Sequence, residues 1–391
     1  MHDLNPAEVA QRIMKEVKQK IQGLNKLNVM VLGKTGVGKS TLINSVFQEP
    51  IAQTGIGKPV TSRIKKYEKE DYPLSIYDTP GLELGGENAV DELLKEINTI
   101  LKKSVEKNDI NEAIHCVWYC ISSTSHRFEE SEKSFINSFI TEAKQYQIPV
   151  IVVLTQSYAK KDTAQLKAEI EKEELGIAEV VPVLAQDYEI DEDYVARAFG
   201  LTRLVDVMYE VIPESVQNAL IAVQKVNRQM KNTKAQAIVV SSASLAAATG
   251  ATPIPFADSF LLVPEQISML AGITAVYGLP VDQATMTAVI SATIGTSGTT
   301  VLGKTLVSGL FKLIPGAGSF VGGAISASIA AALTAALGEA YIGVMNMICD
   351  GKMKADDLKT NEGKQTLTAM FRQKLGRKRD KLGKPIDAEQ S

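Results

Sequence analysis

Cysteine and histidine are scarce in this chain of 391 residues, three of each. Cys116, Cys120 and Cys349 form no even set and no metal-ligand spacing, and His2, His115 and His126 are scattered. A disulfide framework or a zinc site is thereby excluded as the organising principle. Cys116 and Cys120 stand in an apolar, strand-like run, where a free thiol behaves as a small hydrophobe, so the expected compartment is reducing. Aromatic residues make up only 6%, and 42 Lys and Arg face 45 Asp and Glu for a net charge of -3. A basic, aromatic-bearing surface of the kind that takes nucleic acid is not expected. The opening MHDLNPAEVAQRIMKEVKQK is charged throughout and has no apolar core of a secretory signal, which makes the cytoplasm the expected location.

A chain of this length holds about two to three domains, and its patterning changes along the way. Residues 1–26 begin with Asn5 as a helix cap and Pro6 as the first helical residue, after which Val9, Ile13, Val17 and Ile21 recur every fourth position. This spacing predicts an amphipathic helix, whose apolar face suits packing on a neighbouring domain better than a membrane anchor. Residues 27–212 alternate helical patterns with the apolar runs NVMVLG, LSIYDTPG, HCVWYCIS, PVIVVLTQS and EVVPVLAQ. Strands and helices in alternation predict an α/β domain, a mostly parallel sheet with helices on both faces. The polar, alternating RIKKYEKEDYP fits an antiparallel edge strand. After Pro213 one mixed helix, ESVQNALIAVQKVNRQMKNTK, leads into a region rich in Ala, Gly, Ser and Thr. Residues 213–349 show no strand alternation and are expected to form an all-α domain. Residues 350–391 are a charged tail. Its 371–385 tract carries Arg372, Lys374, Arg377, Lys378, Arg379, Lys381 and Lys384 against Asp380 alone.

GKTGVGKS, residues 33–40, has glycine, four residues, glycine, lysine and serine, placed directly after an apolar strand and before the helical TLINSVF. That context turns the pattern into a phosphate-binding loop. Glycines let successive N–H groups turn towards phosphate oxygens, and the helix N-terminus adds a favourable dipole. The run Gly33, Lys34, Thr35, Gly36, Val37, Gly38, Lys39, Ser40 and Thr41 is the expected cradle, with Lys39 on the β and γ phosphates and Ser40 on Mg²⁺. Asp78-Thr79-Pro80-Gly81 closes the next apolar strand. There Asp78 would hold Mg²⁺ through water and the Gly81 N–H would meet the γ phosphate.

Over residues 27–212 these motifs resemble the translation-factor-related GTPases, in the Era-, septin- and Toc-like branch whose first motif looks like GKTGVGKSTLINS. The resemblance implies binding of GTP and GDP with Mg²⁺, and a switch threonine on the metal and γ phosphate: Thr61 in GKPVTSR, with Thr54 as second candidate. Thr61 and Lys39 are the implied catalytic residues, and Ser40, Thr61 and Asp78 the metal-linked set. Two positions depart from the pattern. Leu82 stands where Ras-like members keep a water-orienting glutamine, implying slow hydrolysis unless an activator or a second copy supplies the group. Thr155-Gln156-Ser157-Tyr158 stands where the family reads Asn-Lys-x-Asp, so the carboxylate that accepts from guanine is replaced by Tyr158. Gln156 can lay its stem along the base, Asp162 is displaced by four residues, and Ala185 in VLAQD matches the alanine whose N–H reads guanine O6. On balance GTP is favoured over ATP.

TPIPFADSFLLVPEQISMLAGITAVYGLP, residues 252–280, resembles the YcjF-like domain of unknown function that follows bacterial GTPase domains, a plan similar to the immunity-related GTPases of animals. This implies a bacterial-type GTPase acting at or near a membrane. The charge-free run from Ile314 to Gly338 is long enough to span a bilayer, and Gly318, Gly322, Ala331 and Thr334 give it small residues for close helix contact. It also has few large side chains, which makes insertion weak, and Pro315, Gly316 and Gly318 place the helix at Phe320 to Gly338. Its neighbour, Ala284 to Gly303, is uncharged but rich in Thr and Ser. Membrane contact through residues 284–349, with the 371–385 tract drawn to anionic lipid on the cytoplasmic side, stands beside a wholly soluble helical domain.

Three functions follow in order of preference. The first is a Mg²⁺-dependent GTPase switch whose helical domain meets a membrane or protein partner, with a homodimer as one source of activation. The alternative is a nucleotide-gated binding module or scaffold with little turnover, favoured by Leu82. A ribosome-assembly GTPase comes last and rests on fold analogy.

Overall fold

The computed structural model describes residues 6–49, 56–59, 64–79, 87–125, 128–250, 258–294 and 327–382. The chain divides into two compact units, Ile21–Asn227 and Met1–Lys20 together with Arg228–Ser391.

The first unit is a seven-stranded sheet. Its strands are β1 Leu27–Gly33, β2 Ile56–Pro59, β3 Lys65–Glu68, β4 Leu74–Asp78, β5 Cys116–Ser122, β6 Val150–Thr155 and β7 Glu179–Pro182, in the order β2-β3-β4-β1-β5-β6-β7. The pairs from β4 through β1, β5 and β6 to β7 are parallel, and β2 and β3 add antiparallel. The expected polar strand is thus β3, but it is not the edge, because β2 pairs outside it.

A strand turns alternate side chains to opposite faces, and here both faces are apolar. Met30 and Leu32, Val117 and Tyr119, and Val152 and Leu154 share one core with Phe135, Phe139, Leu166 and Ile170. That core covers one face with the helices α3 Glu87–Glu106, α4 Glu130–Gln145 and α5 Lys160–Lys172. On the other face Trp118 stacks on Phe47, rings 5.7 Å apart. This side carries α2 Lys39–Val46, α6 Leu201–Val211 and α7 Glu214–Val223. Cys116 and Cys120 are fully buried, and burial pushes each thiol up to about 12. After β7 a short hairpin, β8 Tyr188–Glu189 and β9 Val195–Ala196, stands apart from the sheet.

The single helix expected after Pro213 is two. It breaks at Gln224, whose amide nitrogen donates to the Asn227 oxygen (2.9 Å) and whose amide oxygen accepts from the Asn227 N–H (2.7 Å). The break is held to the first unit by a β-bridge between Gln224 and Phe47 and by the Lys225 N–H on the Val46 oxygen. The first unit therefore runs past residue 212 to Asn227.

Among the described residues the second unit has no strand. It contains α1 Pro6–Gln22 up to Lys20, α8 Arg228–Gly250, α9 Asp258–Tyr277, α10 Gln283–Ile294, α11 Ala327–Cys349 and α12 Asn361–Leu382. In α1 the periodic Val9, Ile13 and Val17 are buried, as is Ala10. Polar links fix the bundle: the Thr274 and Tyr341 hydroxyls lie 2.8 Å apart, and the Tyr277 hydroxyl and the Asn346 amide both donate to Asn232 Oδ1. The buried Lys231 ammonium donates to the last carbonyls of α9, Val276 and Tyr277, and burial lowers its pKa to about 7.

Gly338 is not a helix end. It lies inside α11 where a Cβ would come 2.5 Å from Val239 of α8, so the glycine marks a close crossing and the helix continues to Cys349. By length and composition Ala330–Cys349 can cross a membrane, with mean hydropathy 1.4, yet 56% of it is buried inside the chain. A core helix has the same properties. The rest of the charge-free run, including Gly318 and Gly322, lies outside the described residues.

Candidate nucleotide site

The phosphate loop hangs between β1 and α2. Gly33 ends the strand at φ +145°, with the Cys120 carbonyl oxygen 2.5 Å from where a Cβ would stand. Gly38 begins the helix in the left-handed region, φ 91°, with no side-chain cap. The first-turn N–H groups of α2, Lys39 to Thr41, therefore have no intrahelical acceptor and no capping side chain among the described residues, and they carry the positive end of the helix dipole. This is an anion site built from backbone. Val37 is buried, while Thr35, Gly36, Ser40 and Thr41 are exposed.

The Lys39 ammonium donates to the carbonyl oxygens of Gly33 (2.8 Å) and Lys34 (3.0 Å). Its burial lowers the pKa, and the Asp78 charge works against that. Asp78 closes β4 in register with Val31 of β1. Burial raises its pKa, with Lys39 and Lys65 opposing, and its Oδ1 is buried with no hydrogen-bond partner among the described residues. A buried carboxylate oxygen lacking a donor is costly, and a hard cation with oxygen ligands relieves that cost. The donor set therefore fits Mg²⁺. Thr79 locks the strand end, its N–H and hydroxyl both directed at the Val31 oxygen. Thr61, Thr54, Gly81 and Leu82 lie outside the described residues.

Lys34 points away from the loop. Its ammonium is 2.7 Å from Glu129 and 3.5 Å from the buried Glu132 at the start of α4. Burial alone would lower the Lys34 pKa, but the two carboxylates outweigh it and raise it.

The base side is assembled from the ends of β5, β6 and β7. The buried Thr155 hydroxyl lies 2.6 Å from the Val37 oxygen, so β6 is tied to the phosphate loop. Gln156, at φ 55°, stretches its side chain along the loop. Its amide nitrogen donates to the Gly36 oxygen (3.1 Å), and Ser122 Oγ donates to its amide oxygen (2.7 Å). Ser123 Oγ lies 3.0 Å from both the Thr155 and Gln156 carbonyl oxygens. A left-handed, non-glycine residue is uncommon and needs such support. The Ser157 N–H donates to the Val183 oxygen, bringing Ala185 beside this segment. Tyr158 stacks on Tyr188 of the hairpin, rings 4.7 Å apart and 12° from parallel.

Sequence reasoning missed Ser122, Ser123 and Tyr188. The two serines follow an apolar strand directly, which was a signal. Tyr188 becomes a partner only through the hairpin.

Residues 28–156 match the family described as 50S ribosome-binding GTPase, and residues 216–379 match a domain family of unknown function, DUF697. Septin-9 of Rattus norvegicus is 26% identical over 182 residues, covering 40% of this chain and 30% of that protein. Neuronal-specific septin-3 of Mus musculus is 26% identical over 190 residues, 42% and 52%. The chain thus spans about a third to a half of the length of these curated relatives. Among solved structures, Toc33 from Arabidopsis thaliana in complex with GDP and Mg²⁺ is 21% identical, with 55% of this chain and 93% of that chain covered and a TM-score of 0.33. For the FeoB G-domain from Methanococcus jannaschii the values are 17%, 48%, 98% and 0.29.

Proposed function

Since the chain carries a GTP-binding P-loop GTPase domain followed by a helical domain of a family without assigned function, we propose that it hydrolyses GTP with Mg²⁺ as a nucleotide-dependent switch. Its helical domain then couples the nucleotide state to a membrane or protein partner on the cytoplasmic side. The observation that carries this reading is the Asp78 Oδ1, buried and without a hydrogen-bond partner among the described residues, on the strand beside the phosphate loop.

Ser40 and Asp78 would hold Mg²⁺, which when bound neutralises charge on the β and γ oxygens. The chain's own groups do the rest. Lys39 exchanges the Gly33 and Lys34 carbonyls for phosphate oxygens, and the N–H groups at the start of α2 orient the phosphates. Thr61 completes the switch by following the γ phosphate. Leu82 has no polar group to orient the attacking water, so turnover is slow until a partner or second copy supplies one. Leu82 also favours the second reading, a nucleotide-gated module that scarcely turns over. Coupling to lipid draws support from the apolar α11 and from Val240 and Leu245, exposed on α8.

Phosphate release by the full chain separates the two. With GTP and Mg²⁺, release should rise with protein concentration or with anionic vesicles, stop on chelation, and fall at least tenfold in Asp78→Asn. No release in any of these conditions, with GTP still bound, would leave the module and sink the enzyme.

A further inference from the structure

Resting on the nucleotide reading above, the base side raises its own question: what selects the base. Guanine presents two N–H donors next to a carbonyl acceptor, whereas adenine reverses the pattern with an amino donor and a ring-nitrogen acceptor. An anionic acceptor facing the guanine donors is the strong way to tell them apart. Two carboxylates near these loops are engaged elsewhere. Asp187 accepts from Arg197 Nη1 at 2.6 Å on one oxygen and from the Ala198 N–H at 2.8 Å on the other, closing its own hairpin. Asp162 belongs to the first turn of α5, and it has an interaction of its own.

What the loops do present is aromatic. Gln156 is fixed across the phosphate loop through Gly36, and the Ser157 N–H is bonded to Val183. The next residue, Tyr158, stacks on Tyr188, and Tyr188 remains 48% exposed. The stack therefore joins the loop after β6 to the loop after β7 and keeps part of its aromatic surface open. The loop after β7 also carries Ala185, whose N–H makes no hydrogen bond among the described residues. We propose that the Tyr158–Tyr188 stack is the wall of the base subsite, holding a purine by aromatic contact. Discrimination between guanine and adenine then falls on the Ala185 N–H alone.

Aromatic contact is indifferent to the base, because every base has a π-face. One neutral hydrogen bond, with the donor-on-donor mismatch that adenine leaves there, distinguishes guanine from adenine by about fivefold to a hundredfold. The chain should thus bind GDP and ADP far more evenly than a site with a carboxylate.

The test is displacement of a fluorescent guanosine diphosphate from the full chain with Mg²⁺, using GDP, ADP and xanthosine diphosphate. In the native protein GDP should lead ADP by about a hundredfold or less. Tyr188→Ala should weaken GDP and ADP together, by roughly fivefold to a hundredfold, and leave their ratio alone. Tyr158→Phe, which keeps the ring, should behave as the native chain. Tyr158→Asp should raise the GDP to ADP ratio by about tenfold or more and penalise xanthosine diphosphate, which lacks one of the donors. A native preference for GDP of a thousandfold, or unaltered affinities in Tyr188→Ala, overturns the inference while leaving the GTPase reading intact. Failure of the chain to bind any of the nucleotides would overturn that reading, and this one with it.

Discussion

The side-chain amide of Gln156 donates to the carbonyl oxygen of Gly36 across 3.1 Å. One residue after β6 thereby holds the tip of the phosphate loop. Its other end is held by Ser122, so the amide has a fixed direction. Gln156→Leu keeps the stem and removes both bonds. At about 1 kcal/mol for each net hydrogen bond, the variant should lose about 2 kcal/mol of stability and a few degrees of melting temperature, and the freed loop tip should weaken GDP binding. Titration calorimetry reads this directly, and native affinity in the variant would reduce the contact to packing.

Gly33 and Gly36 are both glycines of the loop, but they answer to different constraints. At Gly33 a Cβ would stand 2.5 Å from the Cys120 backbone oxygen, with φ at +145°. At Gly36, φ is +78° and the space is open. Gly33→Ala must move β5 or the loop and should cost about 2–4 kcal/mol. Gly36→Ala pays only for its left-handed backbone, about 1–2 kcal/mol. Urea unfolding of the two variants should show this order; equal losses would mean that β1 and β5 give way easily.

His115 precedes β5 and accepts the Asn28 N–H on Nδ1 at 2.9 Å, while its Nε2 is buried with no hydrogen-bond partner among the described residues. Burial lowers its pKa from 6.5 to about 4. The neutral ring is what the fold stabilises. Below pH 6.5 the unfolded chain takes up a proton that the folded chain refuses, so stability falls with pH until the folded ring protonates near pH 4, and above 6.5 it is unaffected. The loss amounts to about 2–3 kcal/mol. Denaturant midpoints from pH 7.5 to 4 should decline less in His115→Asn than in the native chain. Parallel curves would remove His115 as the cause.

How much of this was legible in the sequence depends on how local the signal is. The phosphate loop and β1, β4, β5, β6 and β7 carry their own patterns, since a strand apolar on both faces needs no partner to be recognised. β2 escaped because Ile56–Pro59 includes a glycine and a proline, which break any alternation. The stretch after Pro213 has the pattern of one helix because its apolar residues continue past Gln224, and the turn that stops it depends on a side chain closing on Asn227 and a bridge to Phe47. Gln156 could be placed by its offset from β6. The stacking of Tyr158 on Tyr188, thirty positions apart, required the hairpin to be built first.

Gly338 tests whether α11 belongs to a packed bundle in the form described. Charge-free composition suits lipid and protein interiors alike, and the two differ in what a methyl group meets. Here a Cβ would come 2.5 Å from Val239 Cγ2 and 3.0 Å from Met269 Sδ, contacts that stiff, buried neighbours relieve only by moving the helices apart. Alanine is the better helix former by about 1 kcal/mol, yet Gly338→Ala should destabilise the helical unit by about 1–3 kcal/mol because overpacking outweighs propensity. Gly272→Ala is the control: its nearest contact is the flexible Ile238 Cδ1 at 3.3 Å, which can give way, so the change should be close to neutral. Calorimetric unfolding of the two variants without lipid measures both. A stabilised Gly338→Ala would mean that α8 and α11 do not cross this closely in solution and that the bundle opens there.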